Sequence, residues 1–218
     1  MRLVASVRGS LRAVPLCAVV GCGFLVLGCG QRDQPAPTGA PASHLPSSPS
    51  IGRVRGKVPP PGSGIPIIIV LDPKPEREFP APTDVPVMDQ VALTFGPPLL
   101  FVRTNQPAEF RNSDDTLHNV HVTHEQTREP QFNVAIPTGE RYRYTFKREG
   151  FYQVGCDIHP AMSAAVFASA SPYVTEAAAD GSYALEDVPP GVYDLTVYAG
   201  RSRTTRAITV VSGDNVFG

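Results

Sequence analysis

The chain has 218 residues, 42% of them hydrophobic and 18% charged, which is enough for one or two packed domains. The formal net charge is −1, so the chain lacks the excess of basic residues that is typical of nucleic-acid-binding proteins, and we expect no nucleic acid among its partners. The 24 prolines and 19 glycines favour short strands joined by turns over long helices.

Residues 1–28 have the pattern of an export signal: three arginines precede an apolar stretch from Ala13 to Leu27 that is short for a membrane span. The stretch ends in LVLGC and resembles a bacterial lipoprotein signal, in which Cys29 would carry the lipid. Cys22 is a weaker candidate, and an ordinary secretory signal is the alternative. We therefore expect an exported periplasmic or outer-membrane lipoprotein, held to the membrane by an N-terminal lipid anchor.

Residues 29–50 are rich in proline, serine and alanine and predict a disordered tether between the lipid and the folded part. Cys17 and Cys22 would leave with the signal, and Cys29 would be lipidated. Cys156 would then be the one thiol of a protein in an oxidising compartment. An unpaired cysteine there indicates a chemical role.

From Gly52 onward, short apolar runs between turn residues predict an all-β fold. The runs GRVRGKV and IPIIIVLD predict two strands, the second buried on both faces, and a proline-rich loop follows at residues 72–86. The further predicted strands are MDQVALTF, LLFVRT, AEFRNS, HNVHVT, YRYTFK, FYQVGC, SAAVFASASPYV, ALEDV, YDLTVYA and TTRAITVV.

The motif that carries chemistry is C-x2-H-x2-M, formed by Cys156, His159 and Met162. A strand ending at Cys156 and a short returning loop can bring these side chains to one point, and His118 on a neighbouring strand would complete the set. Two imidazoles and a thiolate in one plane, with a weak axial thioether, are the ligands of blue-copper sites. A structural zinc site would favour a fourth strong ligand instead, so the sequence predicts copper.

At these residues the chain resembles the cupredoxins, small copper-binding β-sandwiches. The resemblance covers roughly residues 85–170 and rests on the fragments FRNSD, HN, GFYQVGC and CDIHPAM; the short His159-to-Met162 spacing is similar to that of amicyanin. It implies a Greek-key β-sandwich domain at residues 80–170.

The resemblance also implies a site and a function. One mononuclear type 1 copper ion would bind to His118, Cys156, His159 and Met162, and Asn119 would tie the ligand loops together and hydrogen-bond near the thiolate. The implied function is one-electron transfer to or from a redox partner protein that docks at an apolar patch around His159.

The end of the chain resembles a second family. The fragments DGSYAL and VPPGVYDLTV are similar to the carboxypeptidase regulatory-like domain, a small transthyretin-like β-sandwich. Residues 171–218 alone offer too little core for independent stability. We therefore predict one domain made of residues 51–79 plus 171–218, with the cupredoxin domain inserted in it or lying next to it.

Other functions stay open at this stage. One alternative is a periplasmic copper chaperone or buffer, and another is a surface-binding β-sandwich protein with a structural copper site. We do not expect an enzyme, because a site of this type has no open coordination position for substrate. His121 and His124 are interpreted as solvated strand residues rather than a second copper site, and Asp114 and Asp115 as ordinary loop charges.

Overall fold

The computed structural model describes residues 51–62 and 66–218, and this part of the chain is all-β, as predicted. The predicted signal, the tether and Cys29 lie outside the described residues. The sixteen strands are β1 Gly52–Lys57, β2 Ile67–Lys74, β3 Val87–Val91, β4 Thr94–Gly96, β5 Leu99–Arg103, β6 Pro107–Asn112, β7 His118–His124, β8 Pro130–Ile136, β9 Arg141–Thr145, β10 Gly150–Gly155, β11 Ser163–Ser169, β12 Val174–Glu176, β13 Ser182–Val188, β14 Gly191–Ala199, β15 Ser202–Val210 and β16 Gly213–Phe217. Within residues 51–62 and 66–218, no helix could cross a membrane.

Strands β3–β11 form what we term the central sandwich. One of its sheets has the strand order β5-β11-β10-β7-β8, and the other has the order β4-β3-β6-β9. Inward-facing side chains of the two sheets form one apolar core that includes Phe110, Phe146 and Tyr152. Strands β7 and β10, which carry the motif residues or lead into them, are hydrogen-bonded neighbours in the first sheet.

The remaining strands form the flanking sandwich, which joins the two ends of the described chain. Strand β1 lies between β13 and β16 in one sheet, and β2 lies between β12 and β14 in the other, with β15 at the edge. All five residues from Ile67 to Leu71 are buried, which confirms that the IPIIIVLD strand is covered on both faces. Strands β2 and β12 pair directly, although the whole central sandwich lies between them along the chain. The proposed domain boundaries stay a prediction.

An apolar layer joins the two sandwiches. Phe151 and Phe167 of the central sandwich contact Ile68, Val70 and Tyr198 of the flanking sandwich in one buried cluster. The Phe167 ring lies edge-on to the Tyr198 ring at a centroid distance of 5.0 Å. Because burial of such large apolar side chains contributes several kcal/mol, we expect the two sandwiches to unfold together.

Four strand assignments from the sequence were wrong or missing. The run SAAVFASASPYV is not one strand, because residues 170–173 separate β11 from β12. The run MDQVALTF is not one strand: β3 and β4 are joined by a two-residue turn at Ala92 and Leu93, which have φ angles of 51° and 57°. Neither residue is glycine or asparagine, so no turn signal marks the hairpin. Strands β8 and β16 were not predicted, although β8 has apolar residues at every second position.

Candidate metal centre

The end of the five-stranded sheet brings the motif residues together. His118 begins β7, and β10 ends one residue before Cys156, so both side chains lie at the same end of paired strands. The loop after Cys156 turns back at once: the Met162 N–H donates to the His159 carbonyl (2.9 Å), and the Cys156 N–H donates to the Met162 carbonyl (3.3 Å). The short motif therefore folds as a closed loop that presents His159 toward His118.

Three donor atoms converge in this loop. The Cys156 Sγ lies 3.9 Å from the Nδ1 of His118 and 3.9 Å from the Nδ1 of His159, and the two Nδ1 atoms are 3.0 Å apart. A point equidistant from these three atoms lies about 2.1 Å from each, within the range of metal–nitrogen and metal–sulfur bonds in proteins. The triangle of donors thus fits a single ion.

Burial distinguishes the four residues predicted as ligands. His118, Cys156 and Met162 are buried, whereas His159 is half-buried. Met162 packs in the core of the central sandwich, and its main chain closes the loop described above. The thiol is therefore withdrawn from water, while one imidazole edge lies at the protein surface.

Asn119 ties together the two segments that carry the predicted ligands. Its Oδ1 accepts the N–H of Asp157 (2.7 Å), the N–H of Ile158 (3.3 Å) and the thiol of Cys156 (3.3 Å). Its Nδ2 donates to Asn133 Oδ1 (2.8 Å) and to Asp157 Oδ2 (3.0 Å). Asn119 therefore joins the start of β7 to the loop that begins at Cys156.

A polar network continues outward from Asn119. The Asp157 carboxylate accepts Asn133 Nδ2 (2.7 Å) and lies 3.1 Å from His121 Nδ1. The bond from Asn133, followed by that from His121, holds the pKa of Asp157 below its usual range. Asp157 therefore stays a carboxylate beside the cysteine loop.

Asp114 is the site residue that the sequence interpretation missed. Its Oδ2 lies 2.9 Å from the Nε2 of His118, on the side of the ring away from Cys156. The backbone N–H of Leu93, together with the bond to His118, holds the pKa of Asp114 below its usual range. Asp114 is therefore not an ordinary loop charge; its position four residues before His118 was the available signal.

The other two histidines of β7 differ from each other. His121 is half-buried and bonds to Asp157, on the face opposite to His118. His124 is buried and is not solvated as predicted, because its ring nitrogens lie near Thr127 Oγ1 (2.9 Å) and the Glu149 carbonyl (3.2 Å). Among the residues that the structure describes, the one cluster of three or more donors is His118, Cys156 and His159.

Comparison with known proteins connects this geometry to a family. Residues 83–168 match the family model described as copper binding proteins, plastocyanin/azurin family. None of the curated proteins matches the chain.

Solved structures similar to the chain include three copper proteins. A purple cupredoxin from Nitrosopumilus maritimus is 22% identical, with 38% of this chain and 99% of that chain covered at a TM-score of 0.35. A Cu(I) form of an amicyanin variant is 22% identical, with 46% of this chain and 98% of that chain covered at a TM-score of 0.37. A copper-containing nitrite reductase from Thermus scotoductus SA-01 is 30% identical over 43% of this chain but 23% of that chain, at 0.35.

The family match covers the central sandwich and includes His118, Cys156 and His159. Two imidazole nitrogens and one cysteine sulfur are the donor set of blue-copper sites. Residues 83–168 are accordingly similar to the copper-binding domains of the plastocyanin/azurin family, and copper is the cofactor that this match supports.

Proposed function

We propose that this protein is an exported, membrane-tethered one-electron carrier with one type 1 copper ion. The observation that carries the proposal is the triangle of His118, Cys156 and His159 donors in a domain of a copper-binding family. Met162 is the proposed axial ligand because it closes the same loop. When bound, the ion supplies a reversible Cu(II)/Cu(I) couple.

The residues around the site suit electron transfer because they limit rearrangement. Both ligand segments are fixed by main-chain bonds, and Asn119 holds the start of the cysteine loop through two backbone N–H groups. The burial of Cys156 keeps water from the thiolate. A site whose donor positions are set by the protein changes little between oxidation states, which lowers the barrier to electron exchange.

The surface next to His159 supports docking of a redox partner. Leu117 and Ile158, which directly adjoin proposed ligands, are 48% and 47% exposed, and Pro160 and Ala161 are exposed as well. We name these four residues the apolar rim. Large exposed apolar side chains around one half-buried imidazole are typical of an interaction surface. Electrons would enter and leave through the edge of His159.

The rest of the proposal concerns location. We propose that Cys29 carries a lipid and that residues 29–50 form a tether that lets the domain reach its partner in the periplasm or at the outer membrane.

The flanking sandwich is proposed to be a carboxypeptidase regulatory-like module that supports the copper domain through the layer around Phe167 and Tyr198. No catalytic role is assigned to either sandwich.

The docking proposal is tested by Ala161→Asp, measured as electron self-exchange between oxidised and reduced copies. Two facing aspartates repel each other, so we expect the exchange rate to fall about fivefold to tenfold with an unchanged visible spectrum. The control is Val216→Asp, at a position 73% exposed in the flanking sandwich. Equal rates in Ala161→Asp and the parent protein would contradict docking at the rim.

The runner-up function is copper handling by a Cu(I) chaperone or buffer, which can use the same ligands. It differs in its response to Met162→Leu: an electron carrier keeps its copper and changes its potential, whereas a Cu(I) buffer loses affinity for the ion.

A further inference from the structure

The Asp114 carboxylate sits where two backbone N–H groups and one imidazole nitrogen converge. Its Oδ1 accepts the backbone N–H of Ala92 (2.6 Å), and its Oδ2 accepts the backbone N–H of Leu93 (3.0 Å). The same Oδ2 lies 2.9 Å from the Nε2 of His118, and the Asp114 side chain is 14% exposed. This carboxylate thus joins the β3–β4 turn to a proposed copper ligand.

The turn itself is an uncommon structure that needs such a partner. Ala92 and Leu93 both have positive φ angles, a conformation that costs roughly 1–2 kcal/mol for each residue with a side chain. The conformation points two successive N–H groups at the Asp114 carboxylate, and such pairs of N–H groups form anion sites. Strained backbone of this kind persists where contacts from the surrounding structure hold it in place.

The loop that carries Asp114 is fixed from the other side as well. The Asp114 N–H donates to Asn112 Oδ1 (3.0 Å), and Asn112 is fully buried. Its Nδ2 donates to the carbonyls of Thr116 and Ile136, each at 2.8 Å. The carboxylate is therefore held in place independently of His118.

We propose that Asp114 is a positioning residue that orients His118 and favours Cu(II) over Cu(I) at the proposed site. By accepting the Nε2–H, the carboxylate fixes the tautomer in which the Nδ1 lone pair faces Cys156 and His159. Its negative charge, one imidazole ring away from the ion, stabilises the more highly charged Cu(II) state. This inference rests on the proposed function, because it assigns a role at the same metal site.

The test compares two variants that remove the same charge one residue apart. Asp114→Asn keeps the size of the side chain and one acceptor oxygen, whereas Asp115→Asn removes an exposed charge for which the structure shows no such bond. We expect Asp114→Asn to shift the preference toward Cu(I) by at least about tenfold, a rise in reduction potential of about 59 mV. Asp115→Asn should change the preference less than twofold. Equal shifts in the two variants, or no shift in Asp114→Asn, would overturn the proposal.

A second measurement applies to the metal-free protein and does not depend on copper binding. When the ring is neutral, nitrogen NMR of His118 should report the Nε2–H tautomer in the parent protein. The variant Asp114→Ala should give a mixture of tautomers, while Asp115→Ala should resemble the parent. A parent protein that shows the Nε2–H tautomer but no thiolate–copper band would contradict the proposed function and still support the positioning role. The same tautomer in Asp114→Ala as in the parent would contradict the positioning role alone.

Discussion

Replacing Asn119 with alanine tests how the two segments that carry the proposed ligands are held together. The substitution removes the oxygen that accepts the Asp157 N–H at 2.7 Å and the Ile158 N–H at 3.3 Å. Asn119 is 6% exposed, so water reaches the vacated position poorly. Each buried donor left without a partner costs about 1–3 kcal/mol, and the longer bond is the weaker one.

From these contacts we expect the free energy of unfolding of the metal-free protein to fall by about 2–3 kcal/mol. For a folded region of this size, that corresponds to a decrease in melting temperature of about 5–10 °C, measured by circular dichroism. The copper-loaded variant should also show a shifted visible band, because the loop that carries the Cys156 sulfur loses the two backbone bonds to Asn119 that hold it.

Asn133→Ala is the matched control for this prediction. Asn133 is exposed and bonds to the same Asp157 carboxylate, but it makes no bond to the backbone of the cysteine loop. We expect it to cost less than about 1 kcal/mol. Equal losses in the two variants would show that the polar network as a whole, and not the link between the ligand segments, accounts for the effect.

Three further predictions concern the proposed axial ligand, the layer between the sandwiches and one partly buried acid. Met162→Leu should retain copper and raise the reduction potential, measured by voltammetry, because a sulfur donor to Cu(II) is lost; release of the ion would favour copper handling instead. Phe167→Ala should cost about 3–5 kcal/mol and lower the melting temperature of both sandwiches together, since the ring is 1% exposed between them; separate transitions would contradict a shared layer. Burial, and next the charge of Glu149, raise the pKa of Asp72 to about 6 in the folded protein. The unfolded chain ionises this group near pH 4, so the destabilisation is absent below about pH 4, develops between about pH 4 and pH 6 and is complete above pH 6. Asp72→Asn should therefore add about 1–2 kcal/mol at pH 8, after allowance for partial exposure, and nothing at pH 4 in urea titrations; an equal gain at both pH values would contradict the assigned pKa.

The sequence was sufficient to predict the part of the site that is local. Cys156, His159 and Met162 lie within seven residues, so a single turn must bring them close, and the closed loop of the structure follows that expectation. His118 lies on a strand that pairs with the strand before Cys156. The sequence alone did not place these two residues together, and that prediction rested on the resemblance to a known fold. Whether all four bind copper stays a prediction.

The parts that the sequence did not predict depend on contacts between distant segments. The β3–β4 turn has no glycine or asparagine, and its positive φ angles are stabilised by Asp114, about twenty residues later. Strand β16 pairs in parallel with β1 from the opposite end of the described chain. The ring of buried His124 lies 3.2 Å from the carbonyl of Glu149, a residue on a distant segment. No pattern local to these residues records such partners.

The most direct test of the copper account is the visible absorption spectrum of the purified protein after addition of Cu(II), beside a Cys156→Ser variant. We expect an intense band in the parent protein that is absent from the variant, because the band arises from the bond between the thiolate and Cu(II). Tight binding of Cu(I) without such a band would contradict the electron-carrier proposal in favour of copper handling. Failure to bind either ion would contradict the assignment of His118, Cys156, His159 and Met162 as copper ligands.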